Sequence, residues 1–190
     1  MSEQLIIKHC SPTLAGMKTG NLFSCACESR EELFTSVRRI NRKLVPRGLR
    51  VLPFAVSAQR ALVYVFRPDA LEEDLSREDA MILLKECGYD QTDISGCLRE
   101  LKRRLALKHE EGFPHEVGLF LSYPPEDVRG FIEHKAANSK CAGCWKVYGD
   151  EEKAKCLFTA YRNCTKSYCR RWDDGESIEN LAVPMDVRTH

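Results

Sequence analysis

The sequence lacks an excess of charge of either sign, and it lacks long apolar runs. Its 190 residues include 29 basic and 28 acidic side chains, which gives a formal net charge of +1. Proteins that bind nucleic acids or anionic membranes are usually strongly basic, so this balance argues against both classes of partner. No stretch approaches the roughly 18 consecutive apolar residues of a transmembrane helix, and we therefore expect no membrane span.

The sequence also lacks the signature of export. Its first residues, MSEQLIIKHCSP, contain no basic region followed by a long apolar run, so we expect no secretory signal and predict a cytoplasmic protein. Cysteine, in contrast, is abundant, with 10 residues. In a reducing cytoplasm we expect free thiols, metal ligands or catalytic groups, and most of the cysteines are most simply interpreted as small buried apolar side chains.

The order of apolar patterns predicts an α/β or α+β fold, with a mixed sheet of about four or five strands flanked by helices. We expect one globular domain over residues 1–172 and a polar C-terminal tail over 173–190, which packs back on the domain or stays loose. Residues 49–67 predict a hairpin with an interior strand at Leu62–Phe66, and Pro53 indicates that the other arm is an edge strand.

Further elements are predicted from caps and short apolar runs. Ser29 with Glu32 is a capping box that begins a helix. The run at Gln4–Lys8 predicts a strand, after which Ser11-Pro12 begins a short helix that ends before Gly20.

Near the middle of the chain, strands are predicted at Gly118–Leu121 and Trp145–Tyr148, with a helix at Glu126–His134 between them. A strand, a helix and a strand in this order predict a right-handed parallel crossover.

Cys141 and Cys144 form a C-x-x-C pattern. In a thioredoxin-like redox site this pattern follows a strand and opens a helix. Here it follows a polar loop and precedes a predicted strand, a context that is more typical of a zinc-knuckle half-site. His134 and Cys156 are candidates for the remaining ligands of a zinc or iron ion, as are Cys25 and Cys27.

Cys10 is the candidate nucleophile. Its predicted position between a strand and a helix start is electropositive, which favours the thiolate. His9 points to the opposite side of a strand, so the base would be His115 if its strand pairs beside the first one. The alternative is a buried thiol near a helix cap.

Two charged segments have two interpretations each. The loop with His109, Glu110, Glu111, His115 and Glu116 is a metal site or, as we favour, a solvated loop. The predicted helix at 92–108 has a basic outer face that binds a phosphate or, as we favour, is simply solvated. Its cations are Arg99, Lys102, Arg103, Arg104 and Lys108.

Three stretches together resemble a family of domains of unknown function found in anaerobic Gram-positive bacteria. They are HCSPTLAG (9–16), FPHEVGLFLSYPPEDVRGFI (113–132) and CWKVYGD (144–150), within a similarity that runs from about residue 7 to about residue 170. The resemblance implies a small cytoplasmic protein, and it carries over no activity and no catalytic residue.

We therefore expect an accessory cytoplasmic protein that binds a metal or small cofactor through cysteine and histidine. The alternatives are a Cys/His enzyme that uses Cys10 and a module that binds a protein partner through the helix at 92–108 or the C-terminal tail. The sequence does not decide whether the protein is an enzyme.

Overall fold

The computed structural model describes residues 1–57, 59–90, 93–106 and 112–184. The chain forms two compact units: unit 1 comprises Met1–Asp69 and Tyr161–His190, and unit 2 comprises Ala70–Ala160. The helices of the described residues are α1 (Glu3–Leu14), α2 (Arg30–Leu44), α3 (Pro68–Ser76), α4 (Glu78–Glu86), α5 (Ile94–Ala106), α6 (Val117–Phe120), α7 (Pro125–Glu133), α8 (Glu151–Asp173) and α9 (Ile178–Leu181). The strands are β1 (Gly20–Ala26), β2 (Arg50–Val56), β3 (Arg60–Phe66), β4 (Cys141–Ala142) and β5 (Lys146–Val147). The α+β class is confirmed.

Unit 1 contains a three-stranded antiparallel sheet in the order β1-β3-β2. β3 pairs on both sides, as predicted for an interior strand. β2 pairs only with β3 among the described residues, and its register shifts between Pro53 and Ala55. Proline cannot donate to a strand ladder, so an edge strand accommodates it. The predicted hairpin and its edge strand are therefore confirmed.

The strand prediction at Gln4–Lys8 is wrong, because this segment belongs to α1. Ile6, Cys10 and Leu14 are buried along one side of that helix, at the spacing of a helical stripe. Ser11 also lies inside α1 rather than at a helix N-cap. The short run of aliphatic residues has a high strand propensity, but burial of the longer helical stripe outweighs it.

β1 is not among the predicted strands, since Gly20 was expected to interrupt the pattern. The strand nevertheless alternates as a half-buried strand should: Phe23 and Cys25 are buried, and Ser24 and Ala26 are exposed. Cysteine here has the role of a small apolar residue facing the core.

α2 begins as predicted, with the amide of Glu32 donating to the Ser29 hydroxyl oxygen at 3.1 Å. Near the end of α2, the Asn41 side chain is hydrogen-bonded to the start of β2. The Asn41 amide donates to the Val51 carbonyl at 2.9 Å, and the Val51 amide donates back to Asn41 Oδ1 at 2.8 Å. The two hydrogen bonds fix the distance between the end of α2 and the edge strand.

Part of the C-terminal segment packs into the core of unit 1. Ile178, Leu181 and Ala182 are fully or almost fully buried against residues of α1 and α2. Ser177 caps α9 by accepting a hydrogen bond from the Asn180 amide. The segment thus contributes apolar surface to the core, which is the main source of its attachment.

Arg67 connects α1 to this C-terminal segment. The side chain is 1% exposed, its Nε donates to the Thr13 carbonyl at 2.8 Å, and its Nη2 donates to the carbonyls of Leu14 (2.7 Å) and Val183 (2.8 Å). The last carbonyls of a helix have no partner within the helix and carry partial negative charge, so a cation suits this position. Burial lowers the pKa of Arg67, but a guanidinium keeps its charge.

In unit 2 the strand prediction at Gly118–Leu121 is wrong, because these residues lie in and just after the one-turn helix α6. A short, continuously buried apolar run has no periodicity that separates a strand from a helix. The predicted parallel crossover consequently does not form. Within Trp145–Tyr148 the strand is limited to β5, which pairs antiparallel with β4.

Asp127 joins α7 to the residues that follow β5. Its buried carboxylate accepts hydrogen bonds from Trp145 Nε1 at 2.7 Å and from the amides of Tyr148 (2.6 Å) and Gly149 (2.7 Å). A carboxylate in the first turn of a helix is also stabilised by the helix dipole. Asp127 therefore joins two of the three stretches that carry the family resemblance, residues 113–132 and 144–150.

We expect Arg67→Met to lower the free energy of unfolding by at least about 3 kcal/mol, because it removes three hydrogen bonds donated by a charged group, at about 1.5–3 kcal/mol each. Chemical denaturation measures this loss. Arg60→Met is the matched control, since exposed Arg60 donates to the Ser24 hydroxyl at the sheet surface, and a change within about 0.5 kcal/mol is expected. Similar values for the two variants would contradict the structural role of Arg67.

Candidate functional site

The candidate nucleophile Cys10 is not at a helix start. It is 0% exposed inside α1, and burial raises the pKa of its thiol, an effect that the nearby charge of Lys18 only partly offsets. A reactive cysteine needs access and a lowered pKa. The surroundings of Cys10 provide the opposite conditions, and those of the buried thiols of Cys25 and Cys27 are similarly apolar.

Four of the six candidate metal ligands lie in unit 2, whereas Cys25 and Cys27 belong to unit 1. Cys141 is in β4, and Cys144 is exposed at the tip of the β4–β5 hairpin. Cys156 is exposed on α8, and the His134 ring stacks on Tyr148 with 5.5 Å between ring centroids.

Among the residues that the structure describes, no three His, Cys, Asp or Glu side chains are grouped so that they could hold a metal ion. The C-x-x-C thus stands as a pair of thiols on a tight hairpin. The other candidate metal site was the loop that contains His109, Glu110 and Glu111. These three residues lie outside the described residues.

His115, the predicted base, lies in a cleft of unit 2 with a volume of about 190 Å³. The cleft combines a thiol, an imidazole, a carboxylate and a guanidinium, which makes it the candidate functional site. Its lining residues are Cys87, Arg104, Gly112, Phe113, Pro114, His115, Glu116 and Ile132.

Glu116 supplies the buried charge of this cleft. The residue is 4% exposed, and its Oε1 accepts hydrogen bonds from the Tyr89 hydroxyl at 3.1 Å and from Arg104 Nη1 at 3.5 Å. Both hydrogen bonds that Glu116 accepts from described residues go to Oε1, and neither goes to Oε2. A carboxylate oxygen can accept two hydrogen bonds, so Oε2 is the candidate acceptor for a ligand in this cleft.

Arg104 is held in place from several sides. Its Nε donates to Glu100 at 2.7 Å, its Nη2 donates to the Gly88 carbonyl at 3.2 Å, and its guanidinium lies 4.6 Å from the centroid of the Tyr89 ring. Hydrogen bonds from Arg103 and then from Arg104 lower the pKa of Glu100 to about 2, against the effect of burial. The Arg104 charge is therefore shared between two carboxylates, Glu100 and Glu116, and leaves little attraction for an anionic ligand.

Aromatic rings form the outer wall of the cleft. The His115 ring lies between Phe113 and Phe131, with centroid distances of 5.7 Å and 4.8 Å. Phe113 is 49% exposed, so about half of the residue is accessible to solvent. Exposed aromatic surface at the rim of a cleft favours the stacking of flat ligands.

Cys87 contributes a neutral thiol. Burial raises its pKa, and the negative charge of Glu116 raises it further, while Arg104 acts in the opposite direction. A thiol with a raised pKa is mostly protonated at neutral pH and is a poor nucleophile. Cys87 can therefore contact a ligand as a soft, weakly polar surface, but it is not activated for covalent chemistry.

Sequence patterns identified part of this site. His115 was a candidate from the stretch FPHE, but Cys10 was named as its partner. Cys87 was not among the candidate residues, and Arg104 was one of several cations in a basic run. The adjacency of Glu116 to His115 is the signal in the sequence that points to the cleft.

The described part of the chain contains no helix that is both long and apolar enough to cross a bilayer. The fold and the cleft define an α+β protein with a small, aromatic-walled site in unit 2. The chain belongs to the family described as "Protein of unknown function (DUF3793)", whose model matches residues 6–182. No curated protein and no solved structure gives a significant match.

The thiols should react with iodoacetamide in the order of their access. We expect Cys144 and Cys156, which are exposed, to be alkylated first in the native protein, and Cys10 to be alkylated only after unfolding. Mass spectrometry of digested protein maps the sites, and labelling in denaturant serves as the control for complete reaction. Native-state labelling of Cys10 ahead of Cys144 would restore it as an activated nucleophile.

Proposed function

We propose that this protein binds a small, flat, nitrogen-containing molecule in the Glu116 cleft. The observation that carries the proposal is Glu116 itself, which lines the cleft and whose Oε2 accepts no hydrogen bond from a described residue. Burying a charge is unfavourable unless hydrogen bonds compensate for it, so an N–H donor from a ligand would complete the site. The sequence predicts a small ligand held by cysteine and histidine side chains. In this proposal those side chains are Cys87 and His115.

The shape of the cleft restricts the ligand to a small ring. Its volume of about 190 Å³ is smaller than the roughly 300–1,000 Å³ of sites for drug-sized molecules. A ring would stack against Phe113, while N–H groups on its edge would donate to Glu116 Oε2. Amidines and the N–H edges of nitrogen heterocycles have this geometry, and an anionic ring compound would be repelled by the same carboxylate.

The pKa values of the candidate thiols favour binding over catalysis. Neither Cys10 nor Cys87 has a lowered pKa, since burial raises both. General acid or base chemistry by His115 would still need a reacting group within hydrogen-bond reach. The Cys/His enzyme is therefore the weaker proposal of the two.

We also propose a cytoplasmic location. All ten cysteines are free thiols, although several are partly or fully exposed. Exposed thiols persist in reducing compartments and are oxidised outside them. A thiol-rich chain without disulfides also suits the anaerobic Gram-positive bacteria to which the sequence resemblance points.

Benzamidine and benzoate form a matched pair of probes, because they share a planar ring and differ in the charge of the substituent. We expect isothermal titration calorimetry to give a dissociation constant below about 1 mM for benzamidine, a realistic value for a ligand of about ten non-hydrogen atoms, and no measurable binding of benzoate. Benzamidine should also protect Cys87 from iodoacetamide.

Two variants locate the binding site. Glu116→Gln should weaken benzamidine binding at least tenfold, since a hydrogen bond to a charged group contributes about 1.5–3 kcal/mol. Phe113→Ala, which removes a half-exposed ring and leaves the core intact, should weaken it several-fold. Glu72→Gln, the same change at an exposed position of α3, is the control. Unaltered affinity in both site variants, or equal binding of benzoate, would contradict the proposal.

A further inference from the structure

Charge is unevenly distributed between the two units, although the whole chain is nearly neutral. Unit 1 contains 16 basic and 10 acidic residues, and unit 2 contains 13 basic and 18 acidic residues. The near-zero net charge of the whole chain is therefore the sum of a basic unit 1 and an acidic unit 2. The argument from composition against nucleic-acid binding applies to the average and not to the surface of unit 1.

Four arginines concentrate this charge at the end of α2. Arg38, Arg39 and Arg42 are exposed, and their positions lie on the side of the helix opposite the buried stripe of Leu33, Val37, Ile40 and Leu44. Arg47 follows in the short 3-10 turn Val45–Arg47 that continues the helix. We name these four residues the α2 arginine surface.

The α2 arginine surface is not neutralised by neighbouring carboxylates. Among the described residues, none of its four members forms an ion pair, whereas adjacent Lys43 pairs with Glu3 at 3.0 Å and with Glu179 at 3.3 Å. Arg38 makes a long contact of 3.5 Å with the Thr35 hydroxyl. The helix dipole explains a cation in the last turn, such as Arg42, but it does not explain Arg38 and Arg39 in the preceding turn.

The basic helix α5 is different. Arg103 and Arg104 both donate to Glu100, so half of its cations are already compensated. The sequence patterns drew attention to α5, since its charges lie in one run. In the α2 arginine surface, by contrast, none of the four cations is paired with a carboxylate of the described residues.

We propose that the α2 arginine surface binds the sugar-phosphate backbone of nucleic acid, independently of the ligand cleft in unit 2. All four cations are arginines, whose planar forks bind phosphate through two hydrogen bonds. Side chains at i and i+4, such as Arg38 and Arg42, are about 5–6 Å apart on a helix, so they can contact successive phosphates. Val45, 46% exposed, is the one large exposed apolar side chain on this segment. A lipid-binding helix would need an apolar stripe to insert, so nucleic acid is favoured over a membrane.

Fluorescence anisotropy with a labelled 20-nucleotide single-stranded RNA tests this proposal. Each phosphate contact contributes about 0.7 to the salt slope for single strands, so four contacts predict a roughly 50-fold weakening between 50 and 200 mM salt. Arg38→Gln with Arg42→Gln removes two contacts and should weaken binding at least tenfold at low salt, with a slope lower by about 1.4.

The control is Arg99→Gln with Lys102→Gln, which removes two exposed cations from α5 and should leave affinity within twofold. Both double variants alter exposed side chains, and their circular dichroism should match the parent. Failure of the parent to bind RNA, or equal losses in the two double variants, would overturn the proposal. Binding to phosphatidylglycerol vesicles without binding to RNA would overturn it in favour of a membrane surface.

Discussion

The buried carboxylate of Glu116 is the interaction on which the candidate site depends. It holds together three segments of unit 2: Tyr89 after α4, Arg104 on α5, and its own position just before α6. Removing a carboxylate from water is costly, and two donors to one oxygen recover part of that cost. In the proposed function, the second oxygen makes the same residue both a structural tie and the acceptor for a ligand.

A second buried carboxylate, Asp127, makes a useful contrast. Both of its oxygens accept hydrogen bonds from the protein, from an indole N–H and two backbone amides, so it is a structural residue. The family resemblance therefore rests on stretches with two different roles. FPHE contributes to the cleft, and the first turn of α7 with CWKVYGD forms a rigid support.

Sequence patterns succeeded where a local signal has one structural outcome. The capping box at Ser29, the strand with apolar residues on both faces at Leu62–Phe66 and the edge proline Pro53 are signals of this kind. They failed where a short apolar run fits either a strand or a helix, as at Gln4–Lys8 and Gly118–Leu121, because burial against distant residues decides the outcome. The site was predicted only in part for the same reason: Cys87 follows α4 and Arg104 belongs to α5, and no local pattern joins them to His115.

The most direct test of the account is to map the binding of benzamidine by NMR in the intact protein. We predict that titration shifts the backbone amides of residues 87–89, 112, 113, 115 and 116 together, with one dissociation constant, and that these shifts disappear in Glu116→Gln. Shifts confined to other parts of unit 2, or the same shifts in Glu116→Gln, would show that Oε2 of Glu116 is not a ligand site.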